Sequence, residues 1–265
     1  MNADATTRAS GATAAELRLA DPREAAGLAA YLARLLRYDR AAAVRVRSAG
    51  SALAVFGRPP LGERAPIALR TVGLSSTGSA AGGQGPGRGE IETEGEVEAE
   101  VEVDATVSAG ELLEALEPPA RGEADGFPLP AAVTGPAWTG MLPPRSGWSV
   151  VGEIPADRVV AAVRAGVEEF RRRTDPAAGA APGVDSNAVA DEIWSRPLEL
   201  PGAGGLPLRA AHAAQVLGFL SRLSADEVLT VHRHPAWMRL NGPYGAVAVR
   251  RAPGPGAGLG LTPVR

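Results

Sequence analysis

Residues 27–60 can be laid over residues 212–245 at a constant offset of 185 without a gap: GLAAYLARLLRYDRAAAVRVRSAGSALAVFGRPP falls on HAAQVLGFLSRLSADEVLTVHRHPAWMRLNGPYG. The stripe Leu28, Tyr31, Leu32, Leu35 falls on Ala213, Val216, Leu217, Leu220. Val44 and Val46 fall on Leu229 and Val231, and Gly57 on Gly242. Identities are few, so the match is one of period. A 3, 4, 7 spacing that buries one helical face gives way to alternation broken at Ala49-Gly50-Ser51, the pattern of a tight hairpin. A further strand follows each copy, from Ile67 to Leu74 and from Ala246 to Val249. Two such units related by a two-fold would bury complementary faces against each other. The expected fold is α+β: two pseudo-repeated helix-plus-antiparallel β-meander halves packed as one domain, with Pro/Gly-rich linkers.

The rest of the chain is read around that repeat. Residues 1–14 are expected to be disordered, and residues 15–117 to form the first helix-plus-meander half. Asp21, Pro22 and Glu24 stand as N-cap, first helical residue and capping-box acid of its helix. Residues 75–94 read as a flexible insertion in a β-hairpin, because SSTGSAAGGQGPGRG offers almost nothing to bury. Pairing resumes near Glu96, where Val97, Ala99, Val101 and Val103 alternate with glutamates that keep a sheet edge soluble. Ser108 and Glu111 form a second capping box, on a short helix stopped by Pro118-Pro119. Residues 118–152 form a Pro/Gly-rich connecting segment. Residues 153–251 hold a helical segment and the second half, and 252–265 a flexible tail. The helix from Ile154 to Arg173 carries the stripe Val159, Val163, Val167, Phe170, and its terminal arginines complement the helix dipole.

Composition excludes more chemistry than it suggests. The chain has no cysteine, which removes thiol nucleophiles, disulfides and Cys-ligated metals. All 27 Lys+Arg residues are arginines, which removes Schiff-base, P-loop and kinase-type lysine chemistry. A GC-rich genome accounts for that bias. A formal charge of −3 disfavours a nucleic-acid-seeking or anionic-membrane surface. Without an apolar run near 18 residues or a secretory leader, the expectation is a cytoplasmic protein that does not enter a membrane.

Candidate sites are few. His232 and His234 alternate on one strand and could chelate an ion, with His212 or a glutamate completing the set. Spacing places no third ligand, and the repeat sets His232 over Arg47 and His234 over Ala49. They read instead as imidazoles facing solvent on a strand whose core face is Leu229 and Val231. No metal, no cofactor and no catalytic residue is assigned. The segment TGPAWTGMLPPRSGW, Thr134–Trp148, is the most unusual loop. Trp138 and Trp148 either anchor a long coil to the core or, with Arg145, form a contact surface, since Trp and Arg dominate binding hot spots. No nucleophile elbow or phosphate loop is present.

The segments LPPRSGWSVVGEIPADRVVAAVRAGVEEFRRR and IWSRPL…GLPLRAAHAAQVLGFL resemble an uncharacterised family of actinobacterial proteins, over most of residues 20–251. That family carries no assigned activity, so the resemblance implies only a bacterial cytosolic protein. The resulting expectation is a non-enzymatic binding protein with an unidentified protein partner, touching it through Trp138, Arg145 and Trp148. One alternative is an enzyme with a cleft between the halves lined by Arg145, His232 and His234. Another is a weak nucleic-acid binder using Arg45, Arg47 and Arg250.

Overall fold

A computed structural model of the chain describes residues 16–75, 102–124, 126–224 and 226–251. In the first half, strand β1 (Glu16–Arg18) precedes helix α1 (Arg23–Tyr38). A meander follows, of β2 (Ala43–Ala49), β3 (Ala52–Gly57) and β4 (Ile67–Gly73). Then come β5 (Asp104–Ser108), α2 (Ala109–Ala120), β6 (Gly126–Pro128) and a 3-10 turn at Ala137–Gly140. The second half runs β7 (Ser149–Pro155), α3 (Ala156–Thr174), α4 (Ser186–Ser195), α5 (Leu208–Val216), β8 (Val228–His234), β9 (Trp237–Gly242) and β10 (Gly245–Arg250). Eight strands make one antiparallel sheet in the order β5-β2-β3-β4-β10-β9-β8-β7. The fold is α+β, with two helix-plus-meander halves sharing this sheet.

In the strands the repeat holds to the residue, while α5 ends seven residues before the position equivalent to the end of α1. Strands β8 and β9 lie at the positions of β2 and β3 plus 185. Their registers agree too: Arg45 faces Phe56 and Val46 faces Val55, as Thr230 faces Asn241 and Val231 faces Leu240. Gly57 pairs with Ala68 and Gly242 with Gly245, which makes Leu69 the counterpart of Ala246. Those two residues pair with each other at the junction of the halves. A pseudo-two-fold axis therefore passes between Leu69 and Ala246. Outside the meanders the halves are permuted. The outermost strand and the helix that follows it come last in the first half (β5-α2) but first in the second (β7-α3). Ser108 beside Ala43 and Pro155 beside Val228 mark the same place, the point where each edge strand turns into its helix.

Helices α1, α2, α3 and α5 cover one face of the sheet and share a single core with its inward side chains, among them Val44, Val46, Leu53, Val55, Leu229, Val231 and Leu240. The α1 stripe of Leu28, Tyr31, Leu32 and Leu35 is buried as its period requires. Gly57 lies against Tyr31 and Leu35, where a side chain would displace both. Each sheet edge has a local backbone contact. Ala132 bridges to Val107 of β5, and the backbone of Gly202 lies against Gly152 of β7.

Several local expectations are corrected. Helix α1 starts at Arg23, whose N–H donates to Asp21 Oδ1 at 2.9 Å; Glu24 accepts instead from Gly73 N–H at 2.7 Å, tying the helix to β4. Helix α2 runs through Pro118 and Pro119. They sit in its last turn, where the carbonyls they leave unpaired can be solvated. Ile154 belongs to β7, hidden within what reads as linker and helix start, and α3 begins at Ala156. Helix α5 stops at Val216 because Gly218 takes φ +79° and closes a Schellman motif: Phe219 N–H bonds Ala214 O and Gly218 N–H bonds Gln215 O. The expected hairpin onto β4 does not form. Strand β5 crosses to pair with β2, three strands away in the sheet. The acidic run from Val97 to Val101 and the expected flexible insertion after Ser75 lie outside the described residues, as do residues 1–15 and 252–265.

Candidate functional site

The sheet face without helices is the place where most of the sequence candidates gather. The registers set its cross-strand rows. One row runs Thr106, Arg45, Phe56, Leu69, Ala246, Asn241, Thr230. A second runs Ile67, Ala248, Arg239, His232, Val150, and a third Arg250, Trp237, His234. Its centre is apolar: Phe56, Ile67, Trp237 and Ala248 form a second small core, closed from above by Trp138 with Leu142 and Trp148 against it. The segment between β6 and β7 is thus a cover. Trp138, 9% exposed, is pinned by its 3-10 turn. Arg145 is exposed and donates to the Ser48 carbonyl at 3.2 Å.

Trp148 differs from Trp138. It is half-buried, its indole N–H donates to Pro144 O at 2.8 Å, the Arg239 guanidinium lies 4.4 Å from its ring, and the His234 ring centre is 5.6 Å away. Val150 (60%), the cross-strand neighbour of His232, is exposed, as is Met141 (51%), which lies against Arg250. His232 and His234 lie on the face opposite Leu229 and Val231, as their alternation requires, but both are half-buried rather than solvated. Burial, and then the nearby Arg239, hold His232 below the usual imidazole range. His234 Nδ1 accepts weakly from Ala236 N–H at 3.4 Å, across the β8–β9 turn. Among the described residues no three His, Asp or Glu side chains come together as a metal site.

The other sequence candidates are occupied locally. Arg45 and Arg47 both pair with Asp104, at 2.7 and 3.3 Å, and Arg250 lies 5.7 Å from the Trp237 ring. Glu169, Glu192, Arg173 and Arg196 close a four-membered ion-pair ring between α3 and the end of α4. The Arg173 and Arg196 guanidiniums hold Glu192 down at about 2. Arg209, 4% exposed, donates to Asp191 at 2.6 Å and to Ser195 at 2.7 Å.

His212 sits on the helical face, away from the other two histidines, stacked on Trp194 at 3.9 Å with rings 9° from parallel. Burial pushes it down to about 4, and its Nδ1 has no partner. The folded protein therefore keeps His212 neutral while the unfolded chain protonates near 6.5, so stability falls as pH drops from about 6.5 towards 4. This residue should cost about 2 kcal/mol between pH 7 and pH 5. Denaturant midpoints for His212→Phe, which keeps the stack, should lose most of that slope. An unchanged slope would refute the assignment. The depressed carboxylates Glu169, Asp191 and Glu192 act at lower pH, below their ordinary range.

Where the halves meet on the helical side, α1 and β4 face the turn after α5 and the β9–β10 turn around a pocket of about 200 Å³. Its charged lining is Arg23, Arg34, Arg70 and Arg222, with Glu24 the one carboxylate. Arg145, His232 and His234 line no part of this seam pocket. Sequence reading missed these four arginines. They come from three separate segments, and only the sheet junction assembles them.

Residues 143–254 match the family model of a domain of unknown function, DUF8185, and residues 12–140 match that of another, DUF8010. The division between them falls in the cover segment, between the two halves. A search of curated proteins finds no match. Among solved structures, the DNA polymerase sliding clamp from Caulobacter crescentus aligns over 89% of this chain and 65% of its own, at 11% identity and a TM-score of 0.46. The sliding clamp from Pseudomonas aeruginosa aligns over 86% of this chain and 62% of its own, at 12% identity and 0.41. The chain spans just under two thirds of those clamps, and at such scores the likeness bears on neither site nor activity. Among the described residues no helix is long and apolar enough to cross a membrane.

Proposed function

We propose that this is a non-enzymatic binding protein of the actinobacterial cytoplasm, and that its partner is an acidic protein segment carrying an apolar anchor, docked beside Trp148. The observation that carries this reading is the half-buried indole of Trp148 against Arg239 and His234, with Val150 exposed on the strand that follows it. An amphipathic aromatic held rigid beside a guanidinium is the composition of a binding hot spot, and fixing it in advance lowers the ordering cost on association. Of the sequence candidates, Trp148 and the exposed Arg145 suit contact, whereas buried Trp138 suits anchoring. An arginine face for nucleic acid finds little support, because Arg45 and Arg47 are already paired with Asp104.

The test is affinity capture from the native lysate with wild type, Trp148→Ala and Val150→Arg, each checked for an unchanged melting temperature. A partner rich in acidic segments should be retained by wild type, lost from both variants, and weakened by salt. A partner set that is indifferent to both substitutions would overturn the reading, as would the absence of any wild-type-specific partner.

A further inference from the structure

The seam pocket raises a charge problem that the fold itself leaves open. Arg70 projects from the middle of β4 towards α1, against Gly27, and is half-buried. Its Nη1 donates to the Tyr244 carbonyl, while its Nε is buried without a partner. Glu24, the pocket's one carboxylate, makes no ion pair with it and spends Oε2 on the Gly73 N–H. Arg34 packs its guanidinium against Gly218, and Arg23 and Arg222 stand exposed at the rim. Burial lowers the Arg70 pKa; the nearby Glu24 carboxylate opposes this in part, and the like charge of Arg222 acts with burial. A half-desolvated guanidinium without a directly bonded carboxylate is costly, and like charges beside it add to the cost. Buried Arg209, by comparison, has Asp191, and half-buried Arg239, which has no carboxylate among the described residues, lies on the Trp148 ring. Here four cations from both halves converge on one opening, with one carboxylate among them.

We infer that the seam pocket between α1 and the turn after α5 is a binding site for a compact, multiply charged oxyanion held by Arg23, Arg34, Arg70 and Arg222. Guanidiniums bind such groups through paired N–H donors, and a recessed cationic cleft concentrates the field on its ligand. The pocket of about 200 Å³ has room for about seven waters at roughly 30 Å³ each. That volume suits a diphosphate group or a small polycarboxylate better than a single halide. A ligand there would touch both halves and bind the closed seam in preference to any opened form, so occupancy would stabilise the junction of Leu69 with Ala246. The site lies on the opposite face of the sheet from Trp148 and does not depend on the protein-binding reading.

Calorimetry on the full chain at low ionic strength, with inorganic pyrophosphate in one arm and citrate in the other, tests the inference. One-to-one binding is expected in at least one arm, weakening steeply as salt rises and raising the melting temperature. The arm that binds more tightly identifies phosphate or carboxylate chemistry. Exposed Arg222→Ala should weaken binding at least tenfold without altering the unliganded melt, and Arg70→Gln should weaken it further. Arg64→Ala, at a different pocket beside Arg209 and Arg251, should leave affinity unchanged. The inference is overturned if neither anion binds below millimolar concentration, if Arg222→Ala binds like wild type, or if Arg64→Ala loses as much affinity as Arg222→Ala.

Discussion

Trp138→Ala should lower the unfolding free energy by about 3–5 kcal/mol, the usual cost of truncating a buried tryptophan. Trp138 is the buried member of the cover over Phe56, Ile67, Trp237 and Ala248 on the helix-free face, with Leu142 and Trp148 only partly buried against them. Truncation removes the indole's own burial and opens a cavity over four apolar side chains, three of them contributed by β3, β4 and β9. At roughly 2–4 °C per kcal/mol for a protein of this size, the melting temperature should drop by about 6–20 °C. Trp148→Ala should cost much less, about 1 kcal/mol, because its ring is half-exposed and its contacts are an Arg239 stack and an edge with His234. Urea midpoints for the two variants give the comparison. Equal losses would mean that the cover is held as a unit. A loss below 1 kcal/mol for Trp138→Ala would mean that the face does not rely on it. The contrast also protects the partner assay, since Trp148 can be removed from a protein that stays folded.

Replacing residues 76–101 with a two-residue Asn-Gly turn should abolish cooperative folding, whereas a flexible replacement of about ten residues should leave the melt nearly unchanged. The reason is topological. Leu74 N–H bonds Ser51 O beside β3, and Val103 is bonded to Ser48 beside β2. Strands β4 and β5 lie on opposite sides of the β2–β3 hairpin, separated by three strand spacings of about 4.8 Å, or about 14 Å in all. Two inserted residues between Ser75 and Glu102 reach at most about 11 Å. The short variant must therefore give up the pairing of β5 with β2, together with the buried Val103 and Val107. A ten-residue linker reaches easily, and loop closure depends only logarithmically on length. Circular dichroism melts decide the matter. A short variant that melts like wild type would place β5 beside β4 and refute the strand order.

The repeat is legible in the amino-acid order alone, because it lives in period and register. Apolar residues at helical spacing before Val44 and Leu229, alternation after them, and glycines at 57 and 242 carry the same instruction twice. Side-chain alternation has period two, so a one-residue slip would invert both core faces. Both hairpins accordingly fall where the offset of 185 puts them. The face opposite Leu229 and Val231 is equally legible as the histidine face. Strand β7 is not. In VVGEIP the apolar run merges with the start of α3, and the edge shows no alternation to separate them. The path of β5 is also hidden, since alternation identifies a strand but says nothing about which neighbour it joins.

What the sequence determined by itself is local and periodic: which segments are helix or strand, which face of each is apolar, and which chemistries are absent for want of cysteine and lysine. Only the tertiary structure decided partnership. It permuted β7-α3 ahead of its meander, set Leu69 against Ala246 on the pseudo-two-fold, and separated Trp138 from Trp148 by depth. It also drew Arg23, Arg34, Arg70 and Arg222 to one seam, though Arg23 and Arg222 lie at opposite ends of the chain. The physical reason is that hydrophobic periodicity acts within a segment, through the side chains that share a face. The charge environment of an arginine is set by whatever the fold brings beside it, and no spacing along the chain encodes that.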